Sequence, residues 1–181
     1  AQDPRSGRQD VWYVASGEYI GNSAFGGGNA YYFGDGIYES TDGGKSWTLL
    51  SNTTGDETNF DSFFDFAYAI EVDPSAAKTG TAGGDSEVYV AAYSRIYRTE
   101  DGGQNWNAAL DAGTPRSTRT DVEVTSSGMV YASLSHDGDD SGLYKSSTGR
   151  SGSWTEITPS GWPSSSFTRT VISVNPSNEN E

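Results

Sequence analysis

The sequence predicts an all-β fold, a β-propeller of four-stranded antiparallel blades with about three blades present. Three observations predict it. A segment ending in tryptophan recurs along the chain, short alternating strands flank each copy, and aromatic residues take the place that aliphatic ones hold in most cores.

Leu, Ile, Val and Phe number only 28 of 181 residues and the net charge is −14, a pairing that by itself reads as disorder. The 23 aromatic residues oppose that reading, because disordered chains are poor in them and each buried ring removes ~150 to 250 Å² from water. No apolar run approaches the ~18 residues of a membrane span. The 11 lysines and arginines are scattered, so clustered phosphate contacts, and hence a nucleic-acid partner, are not expected. The absence of cysteine excludes disulfides, thiol nucleophiles and Cys-ligated zinc. One histidine, His136, excludes His-rich metal sites and is the only base open to a Ser-His-Asp triad.

The repeat is explicit. Gly36 to Trp47 matches Arg95 to Trp106, with tyrosine and tryptophan nine positions apart in both, Tyr38 to Trp47 and Tyr97 to Trp106. A degraded copy runs from Gly142 to Trp154, where the spacing is ten and Thr148 replaces the aspartate. Each copy follows an alternating strand b: Val11 to Ala15, Val88 to Ala92, and Val130 to Leu134. A strand a precedes the second and third of these, Phe64 to Val72 and Thr120 to Val124, and Thr170 to Val174 is a further strand a without successor. Strand c carries the repeated tyrosine, and strand d follows the tryptophan at Thr48 to Leu50, Asn107 to Leu110 and Thr155 to Thr158. The repeats therefore span about 3–72, 73–124 and 125–174, with 175–181 starting the next. Their b, c, d, a phase, and the four to eight blades of closed propellers, lead us to expect a segment of a larger propeller of six to eight blades, packed against the remaining blades of the same protein.

Ser40-x-Asp42-x-Gly44-x-x-Trp47 and Thr99-x-Asp101-x-Gly103-x-x-Trp106 resemble the Asp-box, or BNR, repeat family. That family includes sialidases, xyloglucanase-like glycoside hydrolases, sortilin-type receptors, a photosystem assembly factor and many secreted bacterial propellers. The chain looks most like the last group, of a Bacteroidetes type. The resemblance implies a fold and says little about activity. It implies structural roles for Ser40, Asp42, Gly44, Trp47, Thr99, Asp101, Gly103, Trp106 and Trp154: hydroxyl and carboxylate accept turn amides, glycine permits positive φ, and tryptophan packs into the blade.

The resemblance also implies a ligand face opposite the Asp boxes, made by the d-to-a and b-to-c loops. There the first repeat is unusual, with 34 residues from Tyr13 to Trp47 against 17 from Tyr89 to Trp106. Most of the excess is Glu18 to Asp35, a long loop with Glu18, Tyr19, Phe25, Tyr31, Tyr32 and Phe33, a composition that stacks on sugar rings or docks a partner. Packing of these rings over the blade is the competing expectation. In the third repeat, Asp137, Asp139 and Asp140 supply oxygen ligands of the kind Ca²⁺ takes, but without the full EF-hand spacing, so a solvated acidic turn is favoured and no cofactor is expected. Arg119 and Arg169 share a Thr-Arg-Thr context and one strand-a register. They suit an anion-binding ring at the channel mouth or, as favoured here, pairing with Asp121 and Glu123.

The expected function is a non-catalytic propeller module of an exported bacterial protein, secreted or at the cell surface, with a polysaccharide or cell-surface protein as partner. A fragment of a glycoside hydrolase ranks second and an assembly or scaffold factor third. The carboxylates open to a glycosidase are Glu18, Asp61, Asp65 and Asp121, and solvated loop or channel charge is the favoured reading of them.

Overall fold

The structure, a computed structural model, describes residues 1–21, 30–77, 80–111, 119–135, 141–163, 169–175 and 177–179. Among the described residues thirteen strands run in chain order: β1 (Trp12–Ala15), β2 (Glu18–Gly21), β3 (Ala30–Tyr32), β4 (Ile37–Ser40), β5 (Thr48–Leu49), β6 (Ala67–Val72), β7 (Val88–Ala92), β8 (Arg95–Thr99), β9 (Asn107–Asp111), β10 (Arg119–Val124), β11 (Val130–Ser135), β12 (Gly142–Ser146) and β13 (Thr155–Glu156). No α-helix occurs among the described residues.

The strands form three antiparallel sheets that follow the chain without crossovers, β1-β4-β5, β6-β7-β8-β9 and β10-β11-β12-β13, and a separate hairpin, β2-β3. Residues at the start of the chain complete the first sheet. Gln2 bridges Trp12, and Ala1 exchanges main-chain bonds with Tyr13, its amine donating at 2.8 Å and its carbonyl accepting at 2.9 Å. They occupy the place that Glu71 and Val72 hold beside Tyr89 and Val88 in the second sheet.

Burial follows the period-2 alternation of strands stacked face to face. In β1, Tyr13 is fully buried against the second sheet while Val14 points the other way and is 45 % exposed. The middle sheet is covered on both faces, so every residue of β7 is buried. Val88, Val90 and Ala92 pack against Val11, Tyr13 and Ile37 of the first repeat. Tyr89 and Ala91 pack with Val122, Val130 and Ala132 of the third sheet. The buried tyrosines keep their hydroxyls partnered, Tyr13 donating to Glu39 or to the Gly83 carbonyl and Tyr89 to Glu87. Aromatic rings thus fill the space between sheets that 28 large aliphatics and phenylalanines alone would leave thin.

Three elements differ from expectation. The strand predicted from Phe64 starts at Ala67, because Phe63–Asp65 forms a 3-10 turn whose capping box has the Ser62 hydroxyl accepting from the Phe64 amide and the Asp65 carboxylate accepting from the Ser62 amide. The Thr170 to Val174 segment pairs with no strand among the described residues. Side chains hold it instead: Ser135 Oγ accepts the Thr170 amide, Ser133 donates to the Thr170 carbonyl, and Asp121 accepts the Ile172 amide. The Glu18 to Asp35 loop contains the β2-β3 hairpin, with Glu18 opposite Tyr32 and Gly21 opposite Ala30.

Candidate functional site

The two ends of the sheets are chemically different. At one end lie the tight hairpins joining β4 to β5 and β8 to β9. The Ser40 hydroxyl accepts the Gly44 amide at 2.9 Å and donates to Asp42 at 2.8 Å, and Asp42 in turn accepts the Lys45 and Ser46 amides and the Ser46 hydroxyl. Thr99 and Asp101 repeat the pattern, with the Gly103 amide on Thr99 and the Asn105 amide and side chain on Asp101. These bonds hold Asp42 well below the usual carboxylate range, the Ser46 hydroxyl contributing most. Asp101 is also lowered: burial works against the shift, and the bonds from Asn105 and Thr99 outweigh it. In the third hairpin Ser146 still accepts the Gly149 amide, and Ser153 takes the aspartate's place beside it at 2.6 Å. The tryptophans lie against the face turned toward the preceding sheet. Trp106 packs edge-on against Phe64 at 5.6 Å and Trp154 joins the second core cluster. Trp47, with no described sheet before it, is 40 % exposed and donates to the Gly44 carbonyl.

The opposite end carries the aromatic loops. Tyr19 from β2, Tyr31 from β3 and Phe33 from the segment that follows meet Phe60 and Phe66 of the loop between the first two sheets, and Tyr93 of the turn between β7 and β8. These six side chains line an open basin of about 210 Å³. Ring centroids are 5.2 Å apart for Tyr19 and Tyr31, 5.2 Å for Tyr19 and Phe66, and 5.1 Å for Phe60 and Tyr93. Main-chain bonds hold the walls together, since the Gly34 amide donates to the Asp65 carbonyl and the Tyr93 amide to that of Phe63. Gly17 is needed here: at φ +93 it lies so close to the Asp65 carbonyl that a Cβ would be 1.9 Å from the oxygen. Burial pushes the Tyr19 phenol up to about 12, helped by the neighbouring Tyr93 and Tyr31 phenols.

Of the residues predicted for this face, Tyr19, Tyr31 and Phe33 come together and Glu18 is exposed beside them. Tyr32 points away, 56 % exposed, and does not line the basin. Phe25 lies outside the described residues, as do Asp137, Asp139 and Asp140 of the Ca²⁺ candidate and His136. Phe60, Phe66 and Tyr93 were missed. The run Phe60-Asp61-Ser62-Phe63-Phe64-Asp65-Phe66 is the signal for the first two, too dense in rings for one strand face, and Tyr93 has none.

Burial raises the pKa of the Tyr68 phenol, and the positive charges of Arg119 and Arg169 pull it the other way. Arg169 also acts on Asp121, whose carboxyl is raised by burial and lowered by the Ile172 amide. Further along the inner strands, burial and the facing Glu123 push Glu71 up to about 7, against the pull of the Ala1 ammonium. Asp65 is buried and not a solvated loop charge, 0 % exposed, and Asp121, on strand β10, is 5 % exposed; each accepts a main-chain amide. Glu18 and Asp61 are exposed.

No protein-family model and no curated relative matches the chain. Solved structures do. An ancestral GH74 enzyme, itself a propeller, superposes on 87 % of this chain with a TM-score of 0.59 at 19 % identity. The fold is a β-propeller. Its three sheets are blades, with β6 and β10 as inner strands and β9 and β13 as outer ones. The chain spans 19 % of the length of the GH74 enzyme. A second match, YCF48 bound to D1 peptide, has a TM-score of 0.39 at 20 % identity, covering 70 % of this chain and 35 % of its own. In propeller terms, the basin lies on the face of the b-to-c and d-to-a loops, and the Asp-containing hairpins lie on the other.

Proposed function

We propose that the chain is a non-catalytic Asp-box β-propeller module of an exported bacterial protein, secreted or at the cell surface, that takes a carbohydrate or protein partner on its loop face. The observation that carries this reading is the open aromatic basin, since six rings gathered at one blade end, with Tyr31 and Phe60 41 % and 47 % exposed, exceed what packing of the blade requires. The two hairpins built on Ser40–Asp42 and Thr99–Asp101 support the family placement. Further blades of the same protein are the proposed cover for Val14 and Trp47, whose counterparts Val90 and Trp106 pack under a neighbouring blade.

The GH74 neighbour is an enzyme, and the glycosidase alternative needs two carboxylates ~5 to 9.5 Å apart across the scissile bond. Asp65 and Asp121 are buried and committed to main-chain amides, which leaves the exposed Glu18 and Asp61 for that role, with Asp61 Oδ1 also accepting the Asp56 amide at 3.0 Å. The two readings separate in one pair of measurements. Fluorescence titration with soluble polysaccharides and peptides is expected to show saturable binding that Tyr31→Ala abolishes, and fluorogenic glycosides are expected to remain intact. Hydrolysis lost in Glu18→Gln or Asp61→Asn would overturn the proposal, as would binding indifferent to Tyr31→Ala and Phe60→Ala.

A further inference from the structure

The basin's chemistry narrows what it binds, an inference that rests on the loop-face reading above. Its lining is six aromatic side chains and nothing else among the described residues. Only three of the six rings carry a hydroxyl, which leaves few polar atoms to fix the hydroxyls of a pyranose. What the rings offer is the negative face of the π-system, which attracts cations.

The two loops that bear most of the rings carry the same sign. The two segments that supply five of the rings, residues 16–36 and 51–66, contain six carboxylates and no lysine or arginine. Glu18 and Asp61, next to Tyr19 and Phe60, are both exposed. The chain also uses this cluster for a cation of its own. The Arg95 guanidinium sits 4.1 Å over Phe63, a ring 6.1 Å from Phe60 and 6.4 Å from Tyr93, and is held there by Asp111 at 2.9 Å. Size agrees as well: 210 Å³ falls short of the ~300 to 1,000 Å³ of pockets for whole drug-sized ligands and suits the end of one side chain.

We propose that the aromatic basin receives an organic cation, the guanidinium or ammonium end of an arginine or lysine side chain in a basic peptide. The rings supply cation–π contact, and the carboxylates of the two loops supply the long-range attraction.

Calorimetric titration of the 181-residue protein with a tetra-arginine peptide tests this, with tetra-glutamine, cellohexaose and phosphatidylcholine vesicles as comparison probes. Tetra-arginine is expected to bind saturably and tetra-glutamine not at all. Tyr31→Leu and Phe60→Leu keep apolar volume and remove the π face, so each is expected to weaken tetra-arginine binding roughly three- to tenfold. Tyr32→Leu, outside the basin, is expected to bind as the wild type does, and unchanged near-ultraviolet dichroism shows that each variant is folded. Affinity unchanged in both basin variants would mean that bulk negative charge alone attracts the peptide, and would overturn the proposal. So would absence of tetra-arginine binding. In that event, cellohexaose binding lost in Tyr31→Leu leaves the loop-face reading standing, whereas binding of vesicles alone, or probes that all fail to bind, removes its support too.

Discussion

At the scale of single residues, the same side-chain type does opposite work at the two ends of the blades. Asp42 and Asp101 are saturated with donors from their own turns, and that saturation makes them scaffold. Asp101→Ala is expected to lower stability by about 1 kcal/mol while leaving ligand affinity unchanged. Both carboxylates have folded-state pKa values below their unfolded ones, so their contribution is complete above about pH 4 and is lost as pH falls further. The gap in melting temperature between wild type and Asp101→Ala should therefore narrow between pH 5 and pH 3. These residues were legible in the sequence because the turn closes on itself within a few positions. Asp65 was not, because the capping box that buries it depends on Ser62 and on a 3-10 turn that interrupts an otherwise strand-like run.

At the scale of elements, the hairpins differ in what surrounds them. Gly43 has φ +76, and a Cβ there would meet only Asp10 Oδ1, at 3.3 Å. Gly102 has φ +70, and its Cβ would be 2.0 Å from the Gly83 carbonyl oxygen of the neighbouring loop. Gly43→Ala is thus expected to cost about 1 to 2 kcal/mol of left-handed strain, and Gly102→Ala distinctly more, as chemical denaturation of the two variants would show. Strands b and c were readable to within a residue because alternation and the Tyr-to-Trp spacing reinforce each other. The Thr170 to Val174 segment has the alternation without a ladder, since a strand is defined by its neighbour and the described residues provide none. The β2-β3 hairpin was hidden by its glycines, which read as loop.

At the scale of the molecule, stacking decides the value of each repeat's tryptophan. Trp106 lies between two blades and Trp47 on an outer face, so Trp106→Ala should cost about 3 kcal/mol or more and Trp47→Ala much less, judged by thermal unfolding. The inner strands bring Glu71, Asp121 and Glu123 together, and Glu71 is raised to about 7 by burial and Glu123. A raised carboxylate stabilises the fold below its unfolded value near 4.3 and loses that contribution as pH climbs through its folded one. Melting temperature should accordingly fall from pH 5 to pH 8, and Glu71→Gln should reduce that fall. This proximity was invisible in the sequence, because it depends on the angle between blades. The basin was half visible for the same reason: the first-repeat rings are local, whereas Phe60, Phe66 and Tyr93 join them only when two blades stack.

The proposed division of labour puts binding at the aromatic face and stability at the hairpin face. It is tested most directly by measuring melting temperature and tetra-arginine affinity together for Tyr31→Ala and Asp101→Ala. The expected result is crossed: Tyr31→Ala loses affinity at nearly unchanged melting temperature, and Asp101→Ala melts earlier at unchanged affinity. Loss of affinity in Asp101→Ala with Tyr31→Ala binding normally would contradict the account.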